Sequence, residues 1–448
     1  IGASLTGLAT AAALADRFDR VTVVERDTLT AGGRPRTGVP QGRHGHILLP
    51  SGLLELTALL PGVTDDLLAH GAHLMPAGEI RFHIAGDHLA LDDTELQIVG
   101  ATRPLLESVV RTRVRALPNV EVAEGLDARG PVLADDARVA GLRVRPRDGG
   151  PEETIHGELV VDAAGRGSRS AHWLTDLGHP APDEERFQVG VHYATRLFRW
   201  RPSDLDGCRH VVAGVPPHGR RGGFAVVVED DRCLVTLVGV AGERPPTDLD
   251  GFVAYARSLE TDDLYILVDG AEPVAEPATG AFPAYLRRHY ERLPRLPHGY
   301  VAVGDAVCSF NPLYAQGMSM ALREAALLGR IVDQHGTEGV GAAFYRQATP
   351  MIDAAWTMAT SADLGHPEIE GPRTMVWRLL NRYFGRLLRA AHGDPVVANT
   401  YLRVISMVAP MQAILHPRVA WHVLAGTRRR PYTTEAGDRR ALASLTRG

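Results

Sequence analysis

Ile1-Gly2-Ala3-Ser4-Leu5-Thr6-Gly7, followed by an Ala- and Leu-rich run to Ala15 and then by Val21-Thr22-Val23-Val24-Glu25, reads as a strand end, a glycine turn, a helix and a second strand. Gly2 and Gly7 occupy the first and last positions of a G-x-G-x-x-G turn, and Ser4 the middle one. The first glycine permits the tight turn, a small Ser4 still lets a pyrophosphate approach the backbone, and Gly7 lets the helix pack close to its strand. Glu25 lies 18 residues beyond Gly7 at the end of the second strand, where a carboxylate can grip an adenosine ribose. The order strand, glycine turn, helix, strand, acid predicts a dinucleotide-binding βαβ unit. Its opening strand belongs before Gly2, so the reading expects a short segment upstream of Ile1.

A second stretch answers the first. Val301-Ala302-Val303-Gly304-Asp305-Ala306 is an apolar strand ending in a carboxylate, and Asn311-Pro312 and Gln316-Gly317-Met318-Ser319-Met320 follow it into a helix. A carboxylate at the carboxyl edge of an open α/β sheet lies where such sheets bind ligands and can accept a sugar hydroxyl. The free N–H groups and positive dipole end of the following helix favour an anionic group in the same crevice.

Composition narrows the class. The chain has 448 residues, 45% of them hydrophobic, which is enough for a large core divided into two or three structural units. No apolar run approaches the length of a membrane span and no basic-then-apolar leader is visible, so the expected location is cytoplasmic. A net charge of −5 with mixed signs gives no reason to expect nucleic-acid binding. Cys208, Cys233 and Cys308 are far apart and form no C-x-x-C pair, so they read as reduced core thiols. Lysine is absent and all 48 basic residues are arginine, which removes any mechanism that needs a lysine amine.

Along the chain, helices are expected over 51–60 and 64–70, a hairpin around Gly86-Asp87, and a helix over 102–116. Strands are expected over 119–126, 139–144 and 159–162. From 187 the pattern changes to an antiparallel series over 189–200, 210–215, 224–228 and 233–240, with a turn at 229–232. The fold class expected is α/β: a Rossmann-like cofactor domain (1–75, 98–185 and 275–335) interrupted by an antiparallel-sheet substrate domain (76–97 and 186–274), then a helical region (336–448). Between Pro372 and Arg430 there are ten arginines and one acid, Asp394. Arg378, Arg382, Arg386 and Arg389 share one helical face, and Trp377, Leu380, Phe384 and Leu387 share another. That pattern fits a helix packed on the body with a solvated arginine face, an anionic membrane surface, or an acidic carrier protein.

The glycine turn with Glu25, the stretch Arg36-Thr37-Gly38-Val39-Pro40-Gln41-Gly42-Arg43-His44-Gly45-His46, the segment from Asp162 through Ala163-Ala164-Gly165-Arg166-Gly167-Ser168, and the Gly304-to-Met318 segment together resemble the FAD-dependent aromatic-hydroxylase-type monooxygenases. Within that group the chain is most similar to bacterial epoxidases of polyketide polyenes in polyether biosynthesis, over residues 1 to about 365. The resemblance implies FAD, with Gly2, Ser4 and Gly7 at its pyrophosphate, Glu25 at the adenosine ribose, and Arg36 and Arg103 neutralising phosphate charge. It also implies Gly38 and Val39 at the isoalloxazine edge, Asp305 at the ribitol, and Gly317 and Met318 at flavin N1 and O2, with Arg26, Gly165, Gly304 and Pro312 in the cofactor's surroundings. Arg43, His44 and Tyr314 are the candidates for the flavin's reactive face, and no catalytic acid or base stands out. Val191, Tyr193 and Thr195 are candidates for an apolar substrate wall.

The reaction that the resemblance implies is transfer of one oxygen from a C4a-hydroperoxyflavin to a double bond of a small apolar substrate, free or carrier-bound, with O2 as co-substrate. The family carries an Asp-Gly pair where this chain has Ala164-Gly165, so reduction by NAD(P)H directly and through a separate flavin reductase both stay open. The absence of lysine and of a Trp-x-Trp-x-Ile-Pro segment argues against a halogenase. Two alternatives keep the cofactor: a FAD-dependent reductase or dehydrogenase of prenyl or polyene double bonds, and a non-catalytic FAD-binding partner protein. His44-Gly45-His46 would share a strand face, yet no acid or third histidine accompanies them at ligand spacing, so no metal is expected. Ser168 and Ser170 read as turn or cap residues, since no Gly-x-Ser-x-Gly elbow is present.

Overall fold

A computed structural model of the chain describes residues 1–29, 32, 35–36, 38–92, 94–134, 138–214 and 219–425. Helix α1 (Leu5–Ala15) and strand β1 (Val21–Val24) lead to helices α2 (Pro50–Leu59) and α3 (Val63–Ala69), then strands β2 (His73–Pro76), β3 (Arg81–Ile84), β4 (Asp87–His88) and β5 (Gln97–Gly100). Helix α4 (Arg103–Arg115) precedes β6 (Val120–Ala123), β7 (Leu126–Leu133), β8 (Val139–Pro146), β9 (Glu153–His156), β10 (Val160–Asp162) and α5 (Ser170–Asp176). Next come β11 (Glu184–Arg199), β12 (His210–Ala213), β13 (Arg221–Val228), β14 (Arg232–Gly239), α6 (Leu249–Arg257), α7 (Asp263–Val268), β15 (Ala278–Arg288), β16 (Tyr300–Ala302) and β17 (Cys308–Ser309). Helices α8 (Gln316–His335), α9 (Val340–Asp363), α10 (Met375–Ala391), α11 (Pro395–Ile405) and α12 (Pro417–Ala425) complete the described chain. The architecture is the mixed α/β class that the sequence implies.

Two compact units divide it. Unit one is Ile1–His73, Ala101–Gly190 and Phe282–Thr360, and unit two is Leu74–Gly100, Val191–Ala281 and Ser361–Gly448. In unit one, β1 pairs with β6 and β10 with β16, both parallel. Ile1 and Gly2 lie between these pairs: the Ile1 backbone nitrogen donates to Val161 O at 2.7 Å, Ala163 N–H to Ile1 O at 3.0 Å, and Gly2 N–H to Val24 O at 2.8 Å. Beside them a cavity of about 290 Å³ lies between β1 and β10, lined by Leu14, Val21, Val23, Leu142 and Val160 among others. Helix α1 is buried over almost its whole length and packs on α4 and α8. Close approach to α8 needs a small residue there, since a Cβ on Gly329 would sit 3.1 Å from Ala13 O.

Unit two is built on a sheet in which β11, β14, β13, β12, β3 and β4 are neighbours in that order. The four strands expected over 189–240 pair antiparallel, as the sequence implies, while β12 runs parallel to β3, so the sheet as a whole is mixed and not purely antiparallel. The β13–β14 hairpin turns through Asp230 and Asp231, both at positive φ (62° and 51°), the backbone that a tight hairpin requires. One face of this sheet packs Phe198, Val235 and Leu237 against Phe252 of α6 and Leu264 and Leu267 of α7. Met75, Ile98, Val226, Leu234 and Leu402 form a second core.

Other local expectations change in the structure. The strand expected over 119–126 is two, β6 and the start of β7, and β7 joins β8 and β9 in a bulged three-stranded sheet. Strand 210–215 is β12 as far as Ala213, with Val215 outside the described residues. Cys233 and Cys308 are buried as expected, but Cys208 is only half-buried. On α10 the covered residues are Leu387, Leu388 and Ala391, whereas Leu380, expected on the packed face, is exposed. Arg428, Arg429 and Arg430 lie outside the described residues.

Candidate cofactor site

The glycine turn is fixed by backbone contacts that no side chain could share. Gly2 has φ +96°, and a Cβ on it would meet Ala163 O at 2.9 Å, while a Cβ on Gly7 would fall 1.8 Å from Gly2 O. Helix α1 can therefore start directly beside the end of β10. Ser4 occupies its N-cap position without capping it. Instead its hydroxyl donates to Glu107 Oε1 at 2.6 Å and accepts from Arg103 Nη2 at 3.1 Å. The first N–H groups of α1 thus have no side-chain acceptor, which leaves them available to an anion.

Around this turn lies a charge network. Glu25, buried at the end of β1, accepts from Ala3 N–H at 2.7 Å and Asp27 N–H at 2.9 Å. Arg36 approaches Glu25 at 3.0 Å, Asp27 at 3.6 Å and Glu107 at 3.6 Å, and its buried Nε has no partner. Arg103, also buried, pairs with Glu107 at 2.7 Å one helical turn along α4. Burial works to raise the Glu107 pKa, but Arg103, the Ser4 hydroxyl and Arg36 outweigh it and hold the carboxyl below its usual range. Gly38 joins through Asp27, whose Oδ2 accepts its N–H at 2.8 Å, and Val39 is buried next to it in sequence.

The second stretch forms the other end. Gly304, at φ +64°, lets the turn after β16 pack on the first turn of α1, where a Cβ would fall 2.7 Å from Thr6 Cγ2. Its N–H donates to Glu324 Oε2 at 2.6 Å, and Glu324 is fully buried within α8. Burial raises the Asp305 carboxyl above its usual range, against the opposing charges of Arg103 and Arg166. Helix α8 starts after Ala315, which adopts a left-handed φ of 52°, and carries no capping side chain. A Cβ on Gly317 would lie 3.9 Å from Asp305 Oδ1, so the carboxylate sits beside the first turn of this helix. Gln316 is 1% exposed and neither its amide oxygen nor its amide nitrogen has a partner. Met318 is buried, Pro312 exposed and Tyr314 half-buried.

The structure therefore brings Gly2, Ser4, Gly7, Glu25, Arg36 and Arg103 into one cluster and Gly304, Asp305 and Gly317 into an adjoining one, all within unit one. Arg26 stands apart from both, its exposed guanidinium 4.0 Å from Asp27. Gly165, at φ +74°, faces open space, and the neighbouring Ala164 is exposed. Arg43 is exposed at the end of a 3-10 turn and His44 is buried. The His44-to-His46 segment is irregular rather than a strand, and His46 Nδ1 bonds His44 O at 2.9 Å, so the two rings do not present a common strand face. Burial, then the Arg103 charge, pushes the His46 pKa down to about 4. Among the described residues no group of three or more His, Cys, Asp or Glu is arranged to hold a metal ion. Ser168 and Ser170 both donate to the buried Asp162, and Ser168 accepts Ser170 N–H, a turn role. Glu107, Glu324, Thr6 and Gln316 belong to the site without having been singled out in the sequence. An acid four residues after Arg103 on the same helix was the available signal for Glu107.

This fold recurs among solved structures of flavin-dependent proteins. It is shared with PqsL, a probable FAD-dependent monooxygenase from Pseudomonas aeruginosa, at a TM-score of 0.62 and 16% identity over 81% of this chain and 95% of that one. It is likewise shared with a flavoprotein/dehydrogenase from Cytophaga hutchinsonii, at a TM-score of 0.66 and 15% identity over 94% of this chain and 95% of that one. The chain belongs to the family of Protein Rv3254 of Mycobacterium tuberculosis, to which it is 35% identical over 97% of its own length and 96% of that protein's. No family model matches the chain.

Proposed function

We infer that the chain is an FAD-dependent monooxygenase that epoxidises or hydroxylates an apolar polyene or polyketide-type substrate in secondary metabolism. The observation that carries the reading is the pair of glycine-built cradles, Gly2–Gly7 and Gly304–Gly317, at the uncapped starts of α1 and α8. They adjoin the buried arginines, and Gln316 leaves a wholly unsatisfied buried amide at the second. An unpartnered buried amide costs about 1–3 kcal/mol, so a polar ligand at this place would relieve it. FAD fits both ends: Gly2, Ser4, Gly7, Arg36 and Arg103 would hold the pyrophosphate, Glu25 the adenosine ribose, Asp305 the ribitol, and the first amides of α8 the flavin's anionic edge. Gly38 and Val39 would border the ring system, and Arg43, His44 and Tyr314 would line the face where substrate arrives.

Bound FAD would supply electron transfer and activation of O2. The chain's own part is to bind, orient and exclude water. His46, neutral across the physiological range, adds no positive charge to that surround. In unit two, Val191, Tyr193 and Thr195 alternate along β11 onto one face, with the Tyr193 ring over Gly280. Burial raises the Tyr193 pKa, which keeps its phenol neutral, and we assign this face to the apolar substrate. Ala164 offers no carboxylate beside Gly165, so the electrons of NAD(P)H can enter directly or through a separate flavin reductase.

The test is oxygen uptake by the FAD-loaded protein with NADH, NADPH, or a flavin reductase plus NADH, with and without polyene acids. Substrate-dependent uptake and a product heavier by one oxygen are expected. A product altered by two hydrogens without oxygen uptake would instead assign a reductase or dehydrogenase. Failure to take up FAD at all would end the reading.

A further inference from the structure

Eleven large apolar side chains are exposed among the described residues, and six of them lie on α10 and α12: Met375 (71%), Val376 (68%), Leu379 (69%), Leu380 (47%), Trp421 (72%) and Leu424 (64%). The two helices pack on each other within unit two. At about 100° per residue, Met375, Leu379, Val376 and Leu380 sweep one continuous strip of α10. Arg378, Arg382, Arg386 and Arg389 form the strip bordering it, opposite the side buried through Leu387 and Leu388. None of these four arginines forms an ion pair with a described residue. There is no Asp or Glu between 371 and 393 or within α12. Asp394, which follows the stretch, is buried and bonded to His422 at 2.6 Å.

We propose that the exposed face of α10 and α12 is a docking surface for an anionic lipid bilayer. Exposed apolar side chains on α10 border a row of arginines without ion pairs among the described residues, and the packed α12 adds an exposed tryptophan, the composition of a helix that lies in a membrane interface. Charge selects the occupant. A second copy on this face would bring two arginine rows together with no acid between them, whereas anionic headgroups neutralise each row. Among the described residues no helix is long and apolar enough to cross a membrane, and the attachment proposed is a superficial, reversible one. The inference is independent of the flavin reading.

Vesicle sedimentation of the full chain tests it, with phosphatidylcholine alone and with phosphatidylcholine containing phosphatidylglycerol. Binding is expected only to the anionic vesicles, with a blue shift of tryptophan emission that is absent in Trp421→Phe. The double variant Leu379→Glu, Leu380→Glu should weaken binding at least about tenfold. Arg378→Gln with Arg382→Gln should weaken it on the order of fivefold per arginine, and added salt should act in the same direction. All these side chains are exposed, so the melting temperature should not move; the comparison rests on variants that keep it. Absence of binding by the parent chain, or binding unchanged in the leucine variant, overturns the proposal. A dimer that Leu379→Glu dissociates, without vesicle binding, would assign the face to self-association, and capture by an acidic carrier protein without vesicle binding would assign it to that partner.

Discussion

Replacing Glu324 by Gln should remove a pH dependence that the parent chain carries. Glu324 is fully buried in α8; burial first, and the Asp305 charge with it, raise its pKa from 4.5 to about 7, while the bond from Gly304 N–H acts the other way. Between those two values the folded chain holds a proton that the unfolded chain has released, so stability is full below 4.5 and falls as pH rises towards 7. The whole difference corresponds to about 3 kcal/mol, most of which falls between pH 5 and 8. Gln keeps an acceptor for Gly304 N–H and cannot ionise. Urea unfolding of both chains at pH 5 and pH 8 should therefore show a loss between the two pH values smaller by roughly 2 to 3 kcal/mol in Glu324→Gln, because other titrating groups cancel in the comparison. Parallel losses in the two chains would show that Glu324 does not carry the buried proton.

Gly7→Ala places a Cβ 1.8 Å from Gly2 O, and the backbone shift it forces should abolish flavin absorbance after gel filtration. Arg103→Ala leaves the buried Glu107 without its principal cation and should destabilise the chain by about 3 kcal/mol in denaturant titration, with Arg103→Lys losing less. Burial pushes Cys233 up to about 12, raises Cys308 well above the usual thiol range, and also raises the half-buried Cys208. A disulfide reagent at pH 8 should accordingly modify the native chain slowly, at Cys208 first, and all three thiols after unfolding.

Residues that have to be glycine, or have to end a strand in an acid, left clear marks in the sequence. Gly2, Gly7 and Gly304 are dictated by a neighbouring backbone or helix turn, and such a constraint admits almost one residue type, so the parallel unit and its α/β class were legible. Glu107 and Glu324 were not, because an acid inside a helix reads as solvated until the packing around it is known. Strand β15 escaped because Gly280 and Pro283 interrupt its alternation, and β7 because register shifts break its period. On α10, periodicity located the arginine face correctly, but it cannot tell which apolar residues a neighbour covers. Leu387 is covered and Leu379 is not, and only the position of α11 and α12 decides between them.

The network of Glu25, Arg36, Glu107, Arg103 and Ser4 has a kinetic meaning beyond its geometry. Both arginines are held in place by carboxylates, so on the cofactor reading proposed above phosphate binding would not have to immobilise two long, many-rotamer side chains. Glu25, Asp27 and Glu107 also outnumber the two arginines. On that reading an incoming dianionic group would displace carboxylates from guanidinium donors, an exchange that would slow its arrival while the ready-made fork would slow its escape. A cofactor held in this way would remain with the chain through many turnovers, as a resident group and not as a substrate that comes and goes.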